Sequence, residues 1–364
     1  MKTIDELETP AVVVDLDVME RNLARMADYA RTYRLCLRPH TKTHKIPEFA
    51  RAQLASGARG VTVAKTGEAE VMAAAGIDDL LIAYPTYGAA KWDRLARLAR
   101  EKTITVAIDS LVCAQGLSEA AARQGVRFGV LLELDVGMRR CGVSTPHELR
   151  DLACSVSRLS NLAFRGILFY PGHIWDPPEK QEPELAKVSA KVEEAVALLA
   201  QAGLQADVIS GGSTPTAWRS HLVSQLTEIR PGTYIFNDRN TVGVGACREQ
   251  DCALRVLFTV VSVSVPGRAI LDGGSKTLAA DGWRSGSKGY GLIVGHPDAV
   301  IEALSEEHAH VDIRNSGWRP KVGERVAVIP NHVCACVNLH ESLICHRQGR
   351  IEVQIPVAAR GRIC

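Results

Sequence analysis

TITVAIDSLVCAQGLSEAAARQGVRFGVLLEL, residues 103–134, reads as strand, helix, strand. Thr103–Ile108 and Arg127–Leu134 are short β-branched and apolar runs, and Leu111–Arg123 between them is amphipathic and of helical length. Two buried strands joined by a helix predict a parallel βαβ unit. The same alternation continues on both sides, with strands at Leu35–Lys42, Gly60–Ala64, Asp79–Ala83, Ala163–Tyr170, Ala206–Ser210 and Thr227–Arg230. Helical segments at Thr66–Ala75, Ala89–Arg100 and Glu182–Ala202 separate them, the last closed by Gly203. Eight βα repeats over about 225 residues predict a closed (β/α)8 TIM barrel, assigned to residues 9–240. Beyond Asn240 the texture changes to strand-like runs between Gly, Pro and Asp turns: Leu254–Val265, Arg268–Asp272, Arg325–Pro330, Ser342–His346 and Arg350–Val357. A second, mostly antiparallel β domain is expected over 241–364, completed by the opening strand within 1–16.

Composition narrows the function. The chain has 364 residues, 46% apolar, with 43 Lys plus Arg against 41 Asp plus Glu, a formal net charge of +2. Without a single-sign field, a nucleic-acid or membrane-surface role has no electrostatic basis, and the expected partner is a small molecule. No apolar stretch approaches the ~18 residues of a membrane span, and the start, MKTIDELETPAVVVDLD, is acidic where a secretory signal is basic and then apolar. A cytoplasmic protein is expected, so the ten cysteines read as reduced thiols or metal ligands.

In a barrel, reactive groups stand at the C-terminal ends of strands. The first strand ends in Arg38-Pro39-His40-Thr41-Lys42-Thr43-His44-Lys45. On an extended segment Arg38, His40, Lys42 and His44 share one face, and mutual repulsion there would lower the Lys42 pKa and favour Schiff-base chemistry. The bland alternative is a solvated basic strand end. The seventh strand runs into Ser210-Gly211-Gly212-Ser213-Thr214-Pro215-Thr216, whose glycines and hydroxyls suit a phosphate, or an ordinary turn. The eighth supplies Arg230-Pro231-Gly232-Thr233-Tyr234. Asp135–Gly142 could aim Arg140 at an anionic oxygen, and Tyr170-Pro171-Gly172-His173 could lay an aromatic ring beside a cofactor; each alone reads equally as structure. In the β domain, His332, Cys334 and Cys336 face one way if Pro330–His340 is a strand, and an imidazole and a thiolate can then share a cation such as zinc. A buried His and Cys on an apolar strand is the alternative.

Taken with Leu271-Asp272-Gly273-Gly274-Ser275-Lys276, these segments resemble the D-threonine aldolase and D-serine dehydratase family of fold-type III pyridoxal-phosphate enzymes, related to alanine racemase. The resemblance implies a barrel followed by a β domain, and a homodimer. It implies that Lys42 bonds the cofactor, that Gly212, Ser213, Thr214, Gly232 and Thr233 cradle its phosphate, and that Arg140, Tyr170 and Arg230 surround its ring. It implies His332 and Cys334 as ligands of a divalent metal, zinc first and manganese second. Cysteine at the second ligand and the Ser-Thr-Pro phosphate loop match the dehydratases, whereas Val337-Asn338-Leu339-His340 looks like the aldolases.

The function expected is a pyridoxal-phosphate- and metal-dependent lyase of 3-hydroxy-D-amino acids. If Lys42 takes the α-proton, hydroxide leaves to give a 2-oxo acid and ammonia; if His40 or His44 takes the hydroxyl proton, the chain cleaves to glycine and an aldehyde. A racemase needs a tyrosine from the β domain, where Tyr290 has no matching motif, and a cofactor carrier made of the barrel alone needs neither β domain nor metal pair. Trp175–Glu184 and Ala280–Tyr290 are the loops expected to gate the pocket.

Overall fold

In a computed structural model describing residues 2–282, 284 and 289–364, the two strands read first lie side by side in parallel, Thr105 against Gly129 and Ile108 against Leu132. Strand β1 (Ala11–Asp15) opens the chain. The eight that follow form one parallel sheet: β2 (Cys36–Leu37), β3 (Val61–Val63), β4 (Asp79–Ile82), β5 (Thr103–Ile108), β6 (Phe128–Glu133), β7 (Leu162–Leu168), β8 (Val208–Gly211) and β9 (Glu228–Ile229). Its order is β2-β9-β8-β7-β6-β5-β4-β3. The two ends meet: the Arg59 and Thr62 amides donate to the Leu37 and Pro39 carbonyls at 2.9 and 2.8 Å, and His40 bridges Thr62. The sheet is a closed barrel. Leu81, Ala107, Leu131 and Leu168 fill its centre. Helices Leu111–Gln124, Pro146–Val156 and Glu182–Gln201 intervene in the expected βα order. These elements belong to a unit of residues 26–42, 47–232 and 361–364.

The first barrel strand is shorter than its sequence suggests. β2 covers two residues, and a 3-10 turn follows at Thr41–Thr43. Pro39 has no N–H with which to extend the ladder. Arg38, His40, Lys42 and His44 therefore do not share an extended face, which corrects the geometry expected for them.

The other unit holds residues 2–25, 43–46 and the described residues of 233–360. Its strands are β10 (Leu254–Ser262), β11 (Arg268–Leu271), β12 (Leu292–Ile293), β13 (Val300–Leu304), β14 (Ala309–Asp312), β15 (Arg325–Ile329), β16 (Ser342–Arg347) and β17 (Arg350–Pro356). They run in the order β13-β14-β11-β10-β1-β16-β17, with β15 pairing β10 and β12. β1 is antiparallel to β10 and parallel to β16. In β10, alternate residues Leu254, Val256, Phe258 and Val260 are buried, the half-covered pattern that makes a strand legible. β12 to β14 were not anticipated: in β13 only Ile301 is buried, too sparse to set a period.

Pro330–His340 is not a strand. Val333–Leu339 is helical with His332 at its N-cap. The Asp238 carboxylate accepts the Val333 N–H at 3.1 Å, satisfying an amide that a helix start leaves open. Cys336 consequently turns away from Cys334 and is buried, its Sγ donating to the Thr277 carbonyl. None of the ten cysteines is in a disulfide. Among the described residues no helix is long and apolar enough to cross a membrane. Of the two loops expected to gate the pocket, Trp175–Glu184 holds a 3-10 turn at Pro178–Lys180, while 283 and 285–288 lie outside the described residues.

Candidate active site

In the barrel unit the predicted residues gather at the C-terminal ends of the strands. Lys42 Nζ stands 5.9 Å from the Tyr170 ring centroid and the Arg140 guanidinium 5.0 Å from it. The ring fits because residue 172 is glycine: a Cβ there would come within 2.1 Å of Tyr170. The Lys42 amide donates to His40 Nδ1 at 3.4 Å. After β8 the backbone turns through Gly212 at φ +89°, a conformation that disfavours a side chain. Ser213 and Thr214 are buried there, and Ser213 Oγ is 3.0 Å from Thr216 Oγ1. A Cβ on Gly211 would strike the Phe169 ring at 2.2 Å. Buried hydroxyls, a glycine backbone open to close approach and a lysine make a donor set that fits an aldehyde cofactor carrying a phosphate.

Beneath this cluster runs a buried polar chain. Arg230 donates from Nη1 to Ser210 Oγ at 2.6 Å and from Nη2 to the Phe169 carbonyl at 2.8 Å. Ser210 Oγ donates to Glu228 Oε1 at 2.6 Å, and Glu228 Oε2 accepts from Arg38 Nε at 2.7 Å. Arg38 also grips Asp79 with both terminal nitrogens, at 2.7 and 3.0 Å. Burial pulls the Arg230 pKa down to about 10, against the opposing pull of Glu228 and Glu133, so it remains cationic at neutral pH. Burial raises the Glu133 carboxyl, while Arg230 and Arg140 act to lower it.

The other unit carries His332, Cys334, Thr233 and His44. Nδ1 of His332 is 3.2 Å from Asp238 Oδ2, and Asp238 is held in turn by the Thr241 amide on Oδ1 at 2.9 Å. With Nδ1 committed to a carboxylate, Nε2 is the nitrogen available to a cation. Charge attraction to Cys334 raises the His332 pKa to about 11, helped by the hydrogen bond to Asp238 and opposed by burial, so a cation on Nε2 would displace a proton. Cys334 Sγ is 3.2 Å from the Thr43 hydroxyl and 3.8 Å from that of Thr233. Thr233 Oγ1 thus lies beside the Cys334 sulfur. His44 is wholly buried, its Nδ1 accepting from the Ile46 amide at 3.0 Å and its ring edge-on to Phe236. Lys45 Nζ donates to Asn338 at 2.8 Å. Among the described residues no three His, Cys, Asp or Glu side chains assemble as a metal cage. His332 and Cys334 are a borderline-soft pair that fits a divalent cation with positions left to water or substrate.

Residues 14–240 match the family model described as the alanine racemase N-terminal domain, and 253–346 match that of a putative serine dehydratase domain. A D-threonine aldolase of Arthrobacter sp. is 35% identical over 98% of this chain and 93% of its own length. The chain belongs to the D-threonine aldolase and D-serine dehydratase family. As a member of this fold-type III, pyridoxal-phosphate-dependent family it is a lyase. A D-threo-3-hydroxyaspartate dehydratase of Delftia sp. is 33% identical over 92% of both chains. The crystal structure of a D-threonine aldolase from Filomicrobium marinum superposes with a TM-score of 0.92 at 31% identity, covering 100% of both chains. The Delftia dehydratase superposes at 0.91 and 30% identity, over 98% of this chain and 99% of its own. Two of its variants also match, one with a cysteine replaced by alanine and metal-free, the other with the histidine two positions earlier replaced.

Four residues were missed by sequence reasoning: Asp238, Thr43, Glu133 and Glu228. Asp238 left a signal, since Asp238-Arg239-Asn240-Thr241 is a helix-capping pattern, but that pattern predicts only a helix start. Glu133 and Glu228 end or open apolar strands, where a lone carboxylate marks a buried partner without naming it.

Proposed function

We propose that this lyase acts on 3-hydroxy-D-amino acids with pyridoxal phosphate and a divalent metal, zinc by preference, and eliminates the hydroxyl to give a 2-oxo acid and ammonia. The observation that carries the reading is the His332–Cys334 pair backed by Asp238. A histidine and a cysteine two positions apart are also the residues replaced in the Delftia dehydratase variants, one of them metal-free.

In this reading the barrel region 9–240 takes the cofactor and 241–364 the metal. Gly212, Ser213, Thr214 and Gly232 hold the phosphate, and Lys42 bonds the carbonyl carbon. When bound, pyridoxal phosphate supplies an electron sink for the bond broken at the substrate α-carbon. Arg140 and Tyr170 would orient the ring, and Arg230, locked by Ser210 and Phe169, would offer it a fixed cation. His332 and Cys334 would hold a divalent cation, which would supply Lewis acidity at the 3-hydroxyl. Lys42 would take the α-proton, so that hydroxide leaves the β-carbon and hydrolysis of the product releases ammonia. The protein is expected to be a homodimer, as the family resemblance implies.

The retro-aldol reading, cleavage to glycine and an aldehyde, keeps its support in Val337-Asn338-Leu339-His340 and in the 35% identical D-threonine aldolase. Incubation of the purified protein with D-serine, D-threonine and D-3-hydroxyaspartate, with separate assays for 2-oxo acid and glycine, decides between them. Glycine as the sole product replaces elimination by retro-aldol cleavage; no metal-dependent product from any substrate overturns the proposal.

A further inference from the structure

At the N-terminal end of the barrel, opposite to the strand ends that carry Lys42 and the glycine loop, lies a cavity of about 300 Å³. Barrel interiors are ordinarily filled there by branched side chains, and that face serves stability. Here the filling is missing for a reason written in the sequence. Side chains two apart on a strand share a face, so Asp79, Thr105 and Gly129 precede the central Leu81, Ala107 and Leu131 on the interior side. One of these is glycine and one threonine, and a Cβ on Gly129 would come 2.7 Å from Thr105 Oγ1. The space is at the lower end of the range of small-molecule pockets.

The charge of the lining is as uneven as its shape. Five cations, Arg38, Arg59, Lys102, Arg127 and Arg165, line it against two carboxylates, Asp79 and Glu228. Arg38 already uses both carboxylates. Of the other four, two are loosely paired: Arg59 is 3.9 Å from Asp79 and Arg165 is 4.0 Å from Asp207. Lys102 meets an exposed Asp78, and Arg127 donates to the Leu162 carbonyl. Long, exposed pairs such as those of Arg59 and Arg165 hold a cation weakly, and the partner of Lys102, Asp78, is 79% exposed. Arg165 is moreover the extra residue of a bulge, since Val130 pairs with Phe164 but Leu131 with Gly166. Bulges re-aim side chains, and this one adds a guanidinium to the rim.

We propose that this cavity is a binding site for a small organic polyanion, a molecule with two or more carboxylate or phosphate groups. Its charges meet Arg59, Lys102, Arg127 and Arg165, and its carbon skeleton rests on Leu81, Leu131 and Val208. The site is separate from the cofactor cluster and independent of which lyase reaction the protein performs.

The test uses protein saturated with pyridoxal phosphate, so that the phosphate cradle is filled. Calorimetric titrations with tricarballylate and with fructose 1,6-bisphosphate separate a carboxylate from a phosphate ligand, and neither needs to chelate metal strongly. One or both should bind with 1:1 stoichiometry and a Kd below about 1 mM that weakens with added salt. The Arg127→Ala, Arg165→Ala double variant should lose at least about tenfold in affinity, and Arg165→Glu should lose as much, with lyase activity and circular dichroism unchanged in both. Arg38 and Glu228 are left alone because they anchor Arg230. Absence of binding by both anions, or affinity unchanged in folded variants, overturns the proposal.

Discussion

Asp238 is the residue on which the proposed metal pair depends, because one carboxylate caps the Val333 helix and meets the His332 imidazole. Asp238→Asn should lower metal affinity by about 10- to 100-fold, as carboxylate partners of metal-bound histidines do elsewhere. Competition against a chromogenic chelator measures it, and unaltered affinity would leave Asp238 a helix cap and nothing more. Lys42→Ala should remove the visible absorbance of bound cofactor and cut turnover by at least about a thousandfold; retained absorbance would displace Lys42 from its assigned role. The two residues differ in how visible they were beforehand. Lys42 and the Gly212–Thr214 loop sit in contiguous runs whose chemistry is local. Asp238 acts on a residue 94 positions away, and no local pattern encodes that meeting.

At the scale of elements, seven of the barrel strands follow their apolar runs closely, while β2 stops where Pro39 ends the ladder. The Val333–Leu339 helix was read as a strand because a short apolar run fits both periods, and the deciding contact, the Asp238 cap, comes from elsewhere in the chain. Backbone demands are equally non-local. Gly166 sits at φ +139° in β7, where a Cβ would lie 2.0 Å from the Val208 carbonyl of the neighbouring strand. Gly76, at φ +85°, has open space around its missing Cβ. The same Gly→Ala change therefore separates collision from strain: Gly76→Ala should cost about 1 kcal/mol and Gly166→Ala at least about 3 kcal/mol. Urea unfolding of both compares them, and equal costs would mean that β7 and β8 yield without loss.

For the whole molecule, the even charge balance that gives a nucleic-acid role no electrostatic basis says little about pH, because what matters is which titrating groups folding has buried. Burial lowers the pKa of His221, His340 and His346. Such groups favour the neutral imidazole in the folded state, so their contribution is complete above the unfolded pKa near 6.5 and is lost as pH falls through the lowered folded value. Glu133 works in the other direction: its raised pKa stabilises the fold at low pH and that contribution is lost as pH rises through the folded value. His332, with its pKa raised to about 11, opposes the lowered histidines as Glu133 does, but those three outnumber these two, and the protein should unfold at lower urea as pH is taken from about 7.5 to about 5. His346 is the sharpest probe, since its Nδ1 is buried with no hydrogen-bond partner among the described residues and loses nothing when replaced by a hydrocarbon. His346→Leu should be near wild type in stability at the higher pH and lose less on acidification; His340, whose Nε2 meets the Thr277 carbonyl at 2.9 Å, should show the smaller acid loss as His340→Gln only after an initial cost for that bond. Urea midpoints of the three proteins at both pH values test this directly, and parallel losses would assign acid sensitivity to groups other than these histidines.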